Sequence, residues 1–300
     1  MRLFAGIDGG QSSTIACIGD ESNVLARGAG PPADLVGEPR DSPRRREALE
    51  SALDAALASA GLPPETRFAS IVAGLSGYDA GFAPHLDLGA RAERVRVVHD
   101  SEIAHAGALD GEAGIVVIAG TGSVALGNAE TGEPFVRAGG WGYFFGDEGS
   151  ALWVARVALR RAMSRSDRGE ASLLRDRALA FYGTHSLRAL QHAFAHGELT
   201  RPALASFARD VLAAAEEGDH DARDVRAAAA GELADLAATV ERHFPRAAMC
   251  LVSYAGGLFA DAPFAEAFGD ALQRALPQAE LFDPAHEPAE GALLLARRRT

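Results

Sequence analysis

The sequence predicts an α/β protein made of two related halves, and three observations lead to this prediction. The chain has 300 residues, 48% of them apolar and 23% charged, which suits a globular protein with room for two domains. Short apolar segments bounded by glycine turns alternate with longer helical segments. The order of three strands followed by helices and further strands occurs twice, the second time after Gly111.

In the first half, short apolar runs bounded by glycine and aspartate predict strands joined by turns. A helix follows, with Ser42 as its cap and the segment GLPP at 61–64 as its end. The predicted strands are Arg2–Asp8, Thr14–Gly19, Asn23–Gly28, Phe68–Ala73 and Arg94–Val98, and the predicted helices are Arg44–Ala60 and Ser101–Leu109.

The second half repeats the three opening strands and then differs by a long alanine-rich helical region from Ala151 to His243. Glycine is the poorest helix former after proline, so we expect breaks near Gly169, Gly183, Gly197 and Gly218. The predicted strands are Gly114–Ala119, Ser123–Asn128, Pro134–Ala138, Ala248–Tyr254 and Glu280–Phe282, and the later helices are Pro263–Ala275 and Glu287–Arg299.

Charge and residue usage exclude several classes of function. A formal net charge of -12 argues against nucleic acid as a partner, because binding its phosphates needs a basic surface. The chain contains no lysine, so it has neither the lysine of a Walker-type P-loop nor the amine of a Schiff-base enzyme. A bound phosphate would therefore need another cradle, such as backbone amides.

The cysteines and the apolar segments predict a cytoplasmic protein. Cys17 and Cys250 stand far apart in apolar surroundings, which excludes a metal or iron–sulfur motif and favours buried thiols in a reducing compartment. The apolar run Leu3–Ile7 is too short for a signal peptide, and no run reaches membrane length.

The turn DGGQSST at residues 8–14 is the first candidate for phosphate binding. Glycines allow positive φ and let an anion approach the backbone amides closely. The hydroxyls of Ser12 and Thr14 can donate to phosphate oxygens, and Asp8 can hold a hydrated magnesium ion. The alternative is a plain hairpin, since Asp-Gly is a common hairpin signal.

Two further glycine turns strengthen the phosphate hypothesis. The segment GTGS at 120–123 lies between two apolar strands and offers the same amides and hydroxyls. Two such turns, each opening a set of three strands, are harder to attribute to chance than one. Gly256-Gly257 follows a predicted strand, where a flat ring such as adenine can pack on the backbone, although a simple turn into a helix is the alternative.

Asp100 is the candidate catalytic group. It follows the carboxyl end of a predicted strand, and catalytic residues of open α/β sheets collect at that end. A carboxylate there can accept the proton of an attacking sugar hydroxyl. The alternative is that Asp100 or Ser101 only caps the following helix.

The loop GGWGYFFGDEGS at 139–150 is the most distinctive segment. It combines five glycines, four aromatic residues and an acidic pair before a long helix. Sugars need apolar surface under their C–H faces and carboxylates for their hydroxyl protons, and this loop offers both. We expect Asp147 to be a ligand, although Asp147 and Glu148 can also stabilise the dipole of the next helix.

Taken in order, the segments GIDGGQSST, VVHDSEIAHAGAL, GTGS, GGWGYFFGDEGSALWVA and AGG resemble the N-acetylglucosamine kinase branch of the BadF/BadG/BcrA/BcrD ATPase family, in the actin/hexokinase/heat-shock-protein ATPase superfamily. They span Gly6 to Gly257, and the GGWG…GDEGS block is specific. The resemblance implies two ribonuclease-H-like (actin-like ATPase) domains with ATP in an interdomain cleft. The domains would be 1–112, joined by the closing helix 285–300, and 113–284.

The resemblance further implies an ATP-dependent kinase of an amino sugar, N-acetylglucosamine first, with the 6-phosphate as product and a homodimer as the assembly. Asp100 would be the general base, and Mg²⁺ would sit near Asp8. The implied sugar contacts are Asp34, Asp100, Gly140, Trp141 and Asp147. The implied nucleotide contacts are Gly9, Gly10, Gln11, Ser12, Thr14, Gly120, Thr121, Gly122, Ser123, Gly256 and Gly257.

Departures from the family pattern leave the sugar open. Sugar-binding members often carry asparagine where this chain has Asp34, and an aspartate can prefer a free ammonium over an N-acetyl group. Glucosamine and N-acetylmuramate therefore stay beside N-acetylglucosamine as candidates. The radical-dehydratase activators of the same superfamily need cysteine ligands that Cys17 and Cys250 do not supply, and a non-catalytic sensor would have no need of Asp100.

Overall fold

The chain is divided into two compact units in a computed structural model that describes residues 2–11, 13–33, 43–78, 88–245 and 250–298. Unit 1 contains Met1–Ala113, Glu130–Gly132 and Asp283–Thr300, and unit 2 contains Gly114–Ala129 and Glu133–Phe282. Each unit is built on a five-stranded mixed sheet, which confirms the predicted α/β class.

Unit 1 contains β1 (Phe4–Gly9), β2 (Thr14–Gly19), β3 (Val24–Gly30), α1 (Arg44–Ser59), β4 (Ser70–Leu75), β5 (Val95–His99) and α2 (Asp100–Ala108). Its sheet order is β3-β2-β1-β4-β5. The first three strands are antiparallel, whereas β1, β4 and β5 run parallel. Helix α1 packs so closely on β3 that a Cβ added at Gly28 would lie 2.2 Å from the Ala56 nitrogen.

Unit 2 contains β6 (Gly114–Ala119), β7 (Ser123–Asn128), β8 (Val136–Gly139), α3 (Ala151–Asp167), α4 (Leu173–Phe181), α5 (Leu187–Ala195), α6 (Arg201–Ala205), α7 (Ala208–Glu216), α8 (His220–Glu241), β9 (Cys250–Ala255), α9 (Ala262–Ala275) and β10 (Ala279–Leu281). Its sheet order is β10-β9-β6-β7-β8. Again three antiparallel strands are followed by parallel pairing, here of β6 with β9 and of β9 with β10. The two sheets share one topology, as the repeated order of elements predicts.

The helical region of unit 2 breaks at each glycine that the sequence singled out, and all four have positive φ. A further break, between α6 and α7, falls at Ser206 and Phe207 and carries no glycine signal. Phe207 is fully buried there, so tertiary packing accounts for the break. No helix among the described residues is long and apolar enough to cross a membrane.

Some element ends differ from the predicted ones. Strand β4 begins at Ser70, because Phe68 instead forms an isolated bridge with Ala92. Helix α1 is capped at Pro43, while Ser42 lies outside the described residues. Helix α2 starts at Asp100, and its cap is His99 rather than Asp100 or Ser101.

The closing helix, α10 (Pro288–Arg297), packs in unit 1 against β1 and α2. The contact with β1 is so close that a Cβ at Gly6 would lie 2.1 Å from the Leu293 nitrogen. The same is true of α2, where a Cβ at Gly291 would lie 2.1 Å from the Ile103 oxygen. Glycine at position 6 therefore lets α10 pack on β1, and glycine at position 291 lets it pack on α2.

The two cysteines are buried free thiols, as predicted. Burial raises the pKa of Cys17 to about 11, and it does the same for Cys250. A thiol with a raised pKa carries little thiolate at neutral pH and is a poor nucleophile. Both side chains therefore serve the cores of their units.

Candidate active site

The carboxyl ends of three parallel strands bring candidate residues of unit 1 to one edge of its sheet. In the register, Asp8 of β1 lies opposite Gly74 of β4, and Leu75 lies opposite His99 of β5. The Ser76 amide also donates to the Gly9 carbonyl at 3.2 Å. Asp8 and Asp100 consequently belong to the same edge, where an open α/β sheet collects its functional groups.

Asp8 lies half-buried beside other acidic groups. Burial, followed by repulsion from Asp100 and Glu287, raises the pKa of Asp8 from 3.8 to about 6. Such crowding of carboxylates suits a cation, and Mg²⁺ is commonly bound by one or two carboxylates together with waters and phosphate oxygens. Among the described residues, no group of three His, Cys, Asp or Glu side chains forms a complete metal cage.

Asp100 is the first residue of α2, and its side chain is 37% exposed. Its Oδ1 lies 2.7 Å from Nδ1 of His99, the residue that ends β5. The same His99 nitrogen accepts from the Ser101 amide at 3.2 Å and so caps the helix. Because His99 is the cap, the Asp100 carboxylate does not cap α2, and it is partly exposed to solvent after the end of β5.

The first glycine hairpin, residues 9–14, is closed by its own backbone. The Gly10 amide donates to the Ser13 carbonyl at 3.0 Å. Thr14 is fully buried, and its hydroxyl donates to the Pro31 carbonyl at 2.7 Å, so this hydroxyl is engaged within the sheet rather than presented to a ligand. Gln11 is exposed, whereas Ser12 and Asp34 lie outside the described residues.

The second glycine hairpin, residues 120–123, is closed in a similar way and joined to the loop that follows β8. The Gly120 amide donates to the Gly122 carbonyl at 2.9 Å, and Thr121 is exposed at the tip. Ser123 is buried, and its hydroxyl donates to the Glu148 carbonyl at 2.6 Å. The Ser123 side chain therefore fastens the hairpin to the loop.

Asp147 lies against this second hairpin. Its Oδ1 accepts a hydrogen bond from the Ser123 amide at 3.3 Å. A Cβ at Gly122 would lie 2.9 Å from the same oxygen. Burial raises the pKa of Asp147, and the Ser123 amide partly offsets this rise. Asp147 has a positive φ of 61°, an uncommon conformation for a residue other than glycine that the surrounding bonds hold in place.

The loop at 139–150 exposes most of its aromatic surface. Trp141, Phe144 and Phe145 are 77%, 76% and 81% exposed. The Gly140 amide donates to the Ser123 carbonyl at 2.9 Å, so the base of the loop rests on the second hairpin. The loop thus presents exposed apolar rings on the same segment of chain as the Asp147 carboxylate, and sugar binding uses both kinds of group.

Gly256 meets the second hairpin at the end of β6. It follows β9, which runs parallel to β6, and a Cβ at Gly256 would lie 2.5 Å from the Ala119 oxygen. Its φ of 103° also favours glycine. At Gly257, by contrast, an added Cβ would meet no atom within 4 Å. The structure therefore brings the second and third glycine turns together and leaves Gly257 open.

The sequence did not single out several side chains that contact or influence the candidate site residues. His99 contacts Asp100, and Glu287 raises the pKa of Asp8. Arg156 donates to the Tyr143 carbonyl at 2.6 Å, and the Arg201 guanidinium lies 4.9 Å from the Tyr143 ring centre. Only His99, adjacent to Asp100, could have been found from the chain; the others are brought in by tertiary structure.

Comparison with known proteins places the chain in a family. The model of the BadF/BadG/BcrA/BcrD ATPase family matches residues 5–296. The N-acetylmuramic acid/N-acetylglucosamine kinase of Clostridium acetobutylicum is 31% identical over 207 residues, which cover 68% of this chain and 67% of that protein.

Solved structures show the same fold. A candidate N-acetylglucosamine kinase from Chromobacterium violaceum is 27% identical with a TM-score of 0.77, over 99% of each chain. A ROK family glucokinase from Streptomyces griseus, in complex with glucose and AMPPNP, is 19% identical with a TM-score of 0.61, over 98% of this chain and 99% of that one; this likeness concerns the fold alone. The chain therefore belongs to the BadF/BadG/BcrA/BcrD ATPase family.

Proposed function

We propose that this protein, an ATP-dependent sugar kinase, phosphorylates N-acetylglucosamine on its 6-hydroxyl. The observation that carries the proposal is the set of three hydrogen bonds that join Ser123 to the loop at 139–150. The Ser123 amide binds Asp147, its carbonyl accepts from Gly140, and its hydroxyl donates to the same loop. The segment predicted to hold a sugar and the turn predicted to hold a phosphate are therefore one structure, as a transfer between them requires.

In the proposed reaction, Asp100 accepts the proton of the sugar hydroxyl as it attacks the terminal phosphate of ATP. The proton moves to a carboxylate oxygen of Asp100, the new O–P bond forms, and the bond to the ADP oxygen breaks. Each glycine hairpin offers backbone amides to phosphate oxygens, and Gly256 with Gly257 offers backbone surface to adenosine. Mg²⁺, held through Asp8, would neutralise the phosphate charges.

The sugar would lie on the aromatic loop. The exposed ring of Trp141 offers a flat face for the C–H groups of the sugar, and Gly140 contributes its backbone. Asp147 has one oxygen on the Ser123 amide, but a carboxylate accepts about four hydrogen bonds, so capacity remains for sugar hydroxyls. Asp34, proposed for the substituent at the sugar nitrogen, lies outside the described residues.

N-acetylmuramate is the second candidate substrate, because the curated relative is named for both N-acetylmuramic acid and N-acetylglucosamine. Glucosamine follows if Asp34 favours an ammonium group. A non-catalytic sugar or nucleotide sensor is the alternative outside catalysis, and the exposure of the Asp100 carboxylate at the strand end argues against it.

The decisive experiment measures ADP release from Mg·ATP with N-acetylglucosamine, N-acetylmuramate, glucosamine, glucose and no sugar. We expect the largest stimulation with N-acetylglucosamine. In Asp100→Asn, turnover should fall about 10²- to 10⁴-fold, because the variant cannot accept the proton, while ATP affinity stays nearly unchanged. Preserved turnover would refute the base assignment, and absent stimulation by every amino sugar alongside ATP binding would favour the sensor.

A further inference from the structure

Two arginines reach the middle of the loop at 139–150 from neighbouring helices. Nη1 of Arg156, in the second turn of α3, donates to the Tyr143 carbonyl at 2.6 Å. The guanidinium of Arg201, the first residue of α6, lies 4.9 Å from the centre of the Tyr143 ring, within the range of a cation–π contact. Tyr143 is therefore held through both its backbone and its ring by residues outside the loop.

Tyr143 belongs to a closed turn that also contains Trp141. The Gly142 carbonyl accepts from the Gly146 amide at 2.8 Å, which closes the turn around Tyr143. A Cβ added at Gly146 would lie 3.1 Å from Cβ of Trp141, so Trp141 packs against the end of the turn. Asp147 follows directly in the chain. A bond to Tyr143 consequently restrains the segment that carries both Trp141 and Asp147.

The loop needs such a bond because its own sequence does not fix one conformation. Five of its residues are glycine, which loses more conformational freedom on ordering than any other residue. Below its middle, a cavity of about 380 Å³ is lined by Tyr143, Phe144 and apolar side chains of α3 and α5. Apolar packing is therefore incomplete there, whereas a hydrogen bond from a charged guanidinium is one of the stronger kinds.

The same two arginines act on Asp147 through their charge. Burial raises the pKa of Asp147, and the positive charges of Arg201 and Arg156 are among the effects that lower it. An ionised carboxylate accepts hydrogen bonds through both oxygens, as binding to sugar hydroxyls requires. The arginines therefore favour the charge state of Asp147 that suits the proposed sugar contact, in addition to restraining the loop.

We propose that Arg156 is a positioning residue that holds the loop at 139–150 in the conformation that binds the sugar. This inference rests on the proposed function, in which Trp141 and Asp147 contact the sugar. When a binding site is formed in only a fraction of the molecules, the apparent dissociation constant rises in inverse proportion to that fraction. Loss of the bond to Tyr143 should therefore weaken sugar binding and leave ATP binding and the chemical step nearly unchanged.

The test compares Arg156→Met with Arg160→Met. Methionine keeps an unbranched stem and is a good helix former, but it has no donor and no charge. Arg160 lies one turn further along α3, is exposed and forms no hydrogen bond to the loop within the described part of the chain.

We expect Arg156→Met to raise the KM for N-acetylglucosamine about 5- to 20-fold, with kcat and the KM for ATP changed less than about threefold. Arg160→Met should leave all three values at those of the parent. An equal sugar KM in the two variants, or a fall in kcat without a rise in the sugar KM, would overturn the proposal.

Tryptophan fluorescence reports on the loop without any sugar. The chain has two tryptophans, Trp141 in the loop and Trp153 in α3, so Trp153→Phe leaves Trp141 as the single fluorophore of this type. In this background, we expect a larger nanosecond component in the anisotropy decay of Arg156→Met than of Arg160→Met, because released loops move on nanosecond to microsecond timescales. Indistinguishable decays would refute the positioning role.

The result is distinguishable from a failure of the proposed function. If no amino sugar stimulates ADP release by the parent protein, the proposed function fails, and the anisotropy comparison still decides whether Arg156 holds the loop. If N-acetylglucosamine stimulates the parent and Arg156→Met retains the parent's sugar KM, only the positioning role is refuted.

Discussion

The two glycine hairpins occupy equivalent places in sheets of the same topology, yet they are equipped differently. The first hairpin follows a strand that carries its own carboxylate, Asp8, and a second carboxylate, Asp100, is the first residue of α2, directly after β5 of the same sheet. The second hairpin follows Ile118 and Ala119, so its strand end is apolar. Its carboxylate, Asp147, comes from a loop 24 residues after Ser123.

The difference indicates that the shared topology places a turn at the same point in each sheet, while the side chains around each turn differ. Both turns are closed by a bond from the amide of their first turn glycine, Gly10 or Gly120. Around that common frame, unit 1 concentrates acids that repel one another, while unit 2 pairs its acid with an amide. In the proposed function, this divides the work between base and metal carboxylates in unit 1 and the sugar loop in unit 2.

The largest effect on this comparison is expected from Gly256→Ala, which disrupts the close contact between Gly256 and Ala119 at the second hairpin. The new Cβ would overlap the Ala119 backbone, and φ would remain positive, so we expect a loss of about 2 to 4 kcal/mol in the free energy of unfolding. Gly257→Ala is the matched control, since it meets no atom within 4 Å. Urea unfolding measures both, and equal stability of the two variants would contradict the assigned contact.

Asp8→Asn tests the cost of burying the Asp8 carboxylate, near Asp100 and Glu287, at the first hairpin. The pKa of Asp8 is raised to about 6 in the folded protein, so this carboxyl contributes stability below about pH 4 that is lost as the pH rises through about 6. Without metal, we expect the variant to be more stable than the parent by about 1 to 3 kcal/mol at pH 8 and equally stable near pH 4.

Asp147→Asn is the counterpart at the second hairpin. Its gain at pH 8 should be smaller, because the Ser123 amide already stabilises the Asp147 carboxylate. Thermal unfolding in EDTA at the two pH values measures both variants. A larger gain for Asp147→Asn than for Asp8→Asn would reverse the comparison.

Gly122→Ala tests whether the sugar loop depends on the second hairpin. The added Cβ would lie 2.9 Å from Asp147 Oδ1 and should push the carboxylate away, so we expect the KM for the sugar to rise about tenfold, equivalent to about 1.4 kcal/mol. Gly120→Ala, whose Cβ would meet nothing within 4 Å, should leave that KM unchanged. Steady-state kinetics with each substrate varied provides the measurement. If only the KM for ATP rose, the proposed contact between Asp147 and the sugar would be contradicted.

The smallest effect is expected from Trp141→Ala. The ring is 77% exposed, so its removal should leave the melting temperature unchanged. Loss of one stacking face should raise the KM for the sugar about fivefold, or roughly 1 kcal/mol, and the KM for ATP less. Equal rises in both KM values would assign the residue a structural role.

Much of the fold could be predicted from the sequence because its signals are local. Apolar runs ended by glycine located β2, β6 and β7 at their observed bounds, and the glycines of the helical region marked breaks correctly. Capping was less predictable. Histidine is an uncommon cap, and at His99 the choice depends on how β5 meets α2, which the local pattern does not contain.

The candidate site was predicted as a set of segments but not as contacts. The sequence located the glycine turns, Asp100 and the aromatic loop, because their residue types suit phosphate and sugar chemistry. It did not predict that Thr14 donates to Pro31 or that Ser123 fastens the loop, since both bonds join residues distant in the chain.

By itself, the sequence determined the alternation of strands and helices, the absence of lysine chemistry and the family to which the motifs belong. Only the tertiary structure decided which groups interact. Asp147 accepts from the Ser123 amide, Gly256 contacts Ala119, and the negative charge of Glu287 raises the pKa of Asp8. The physical reason is that turns and periodicity depend on neighbouring residues, whereas burial, repulsion and close approach arise between segments that only folding brings together.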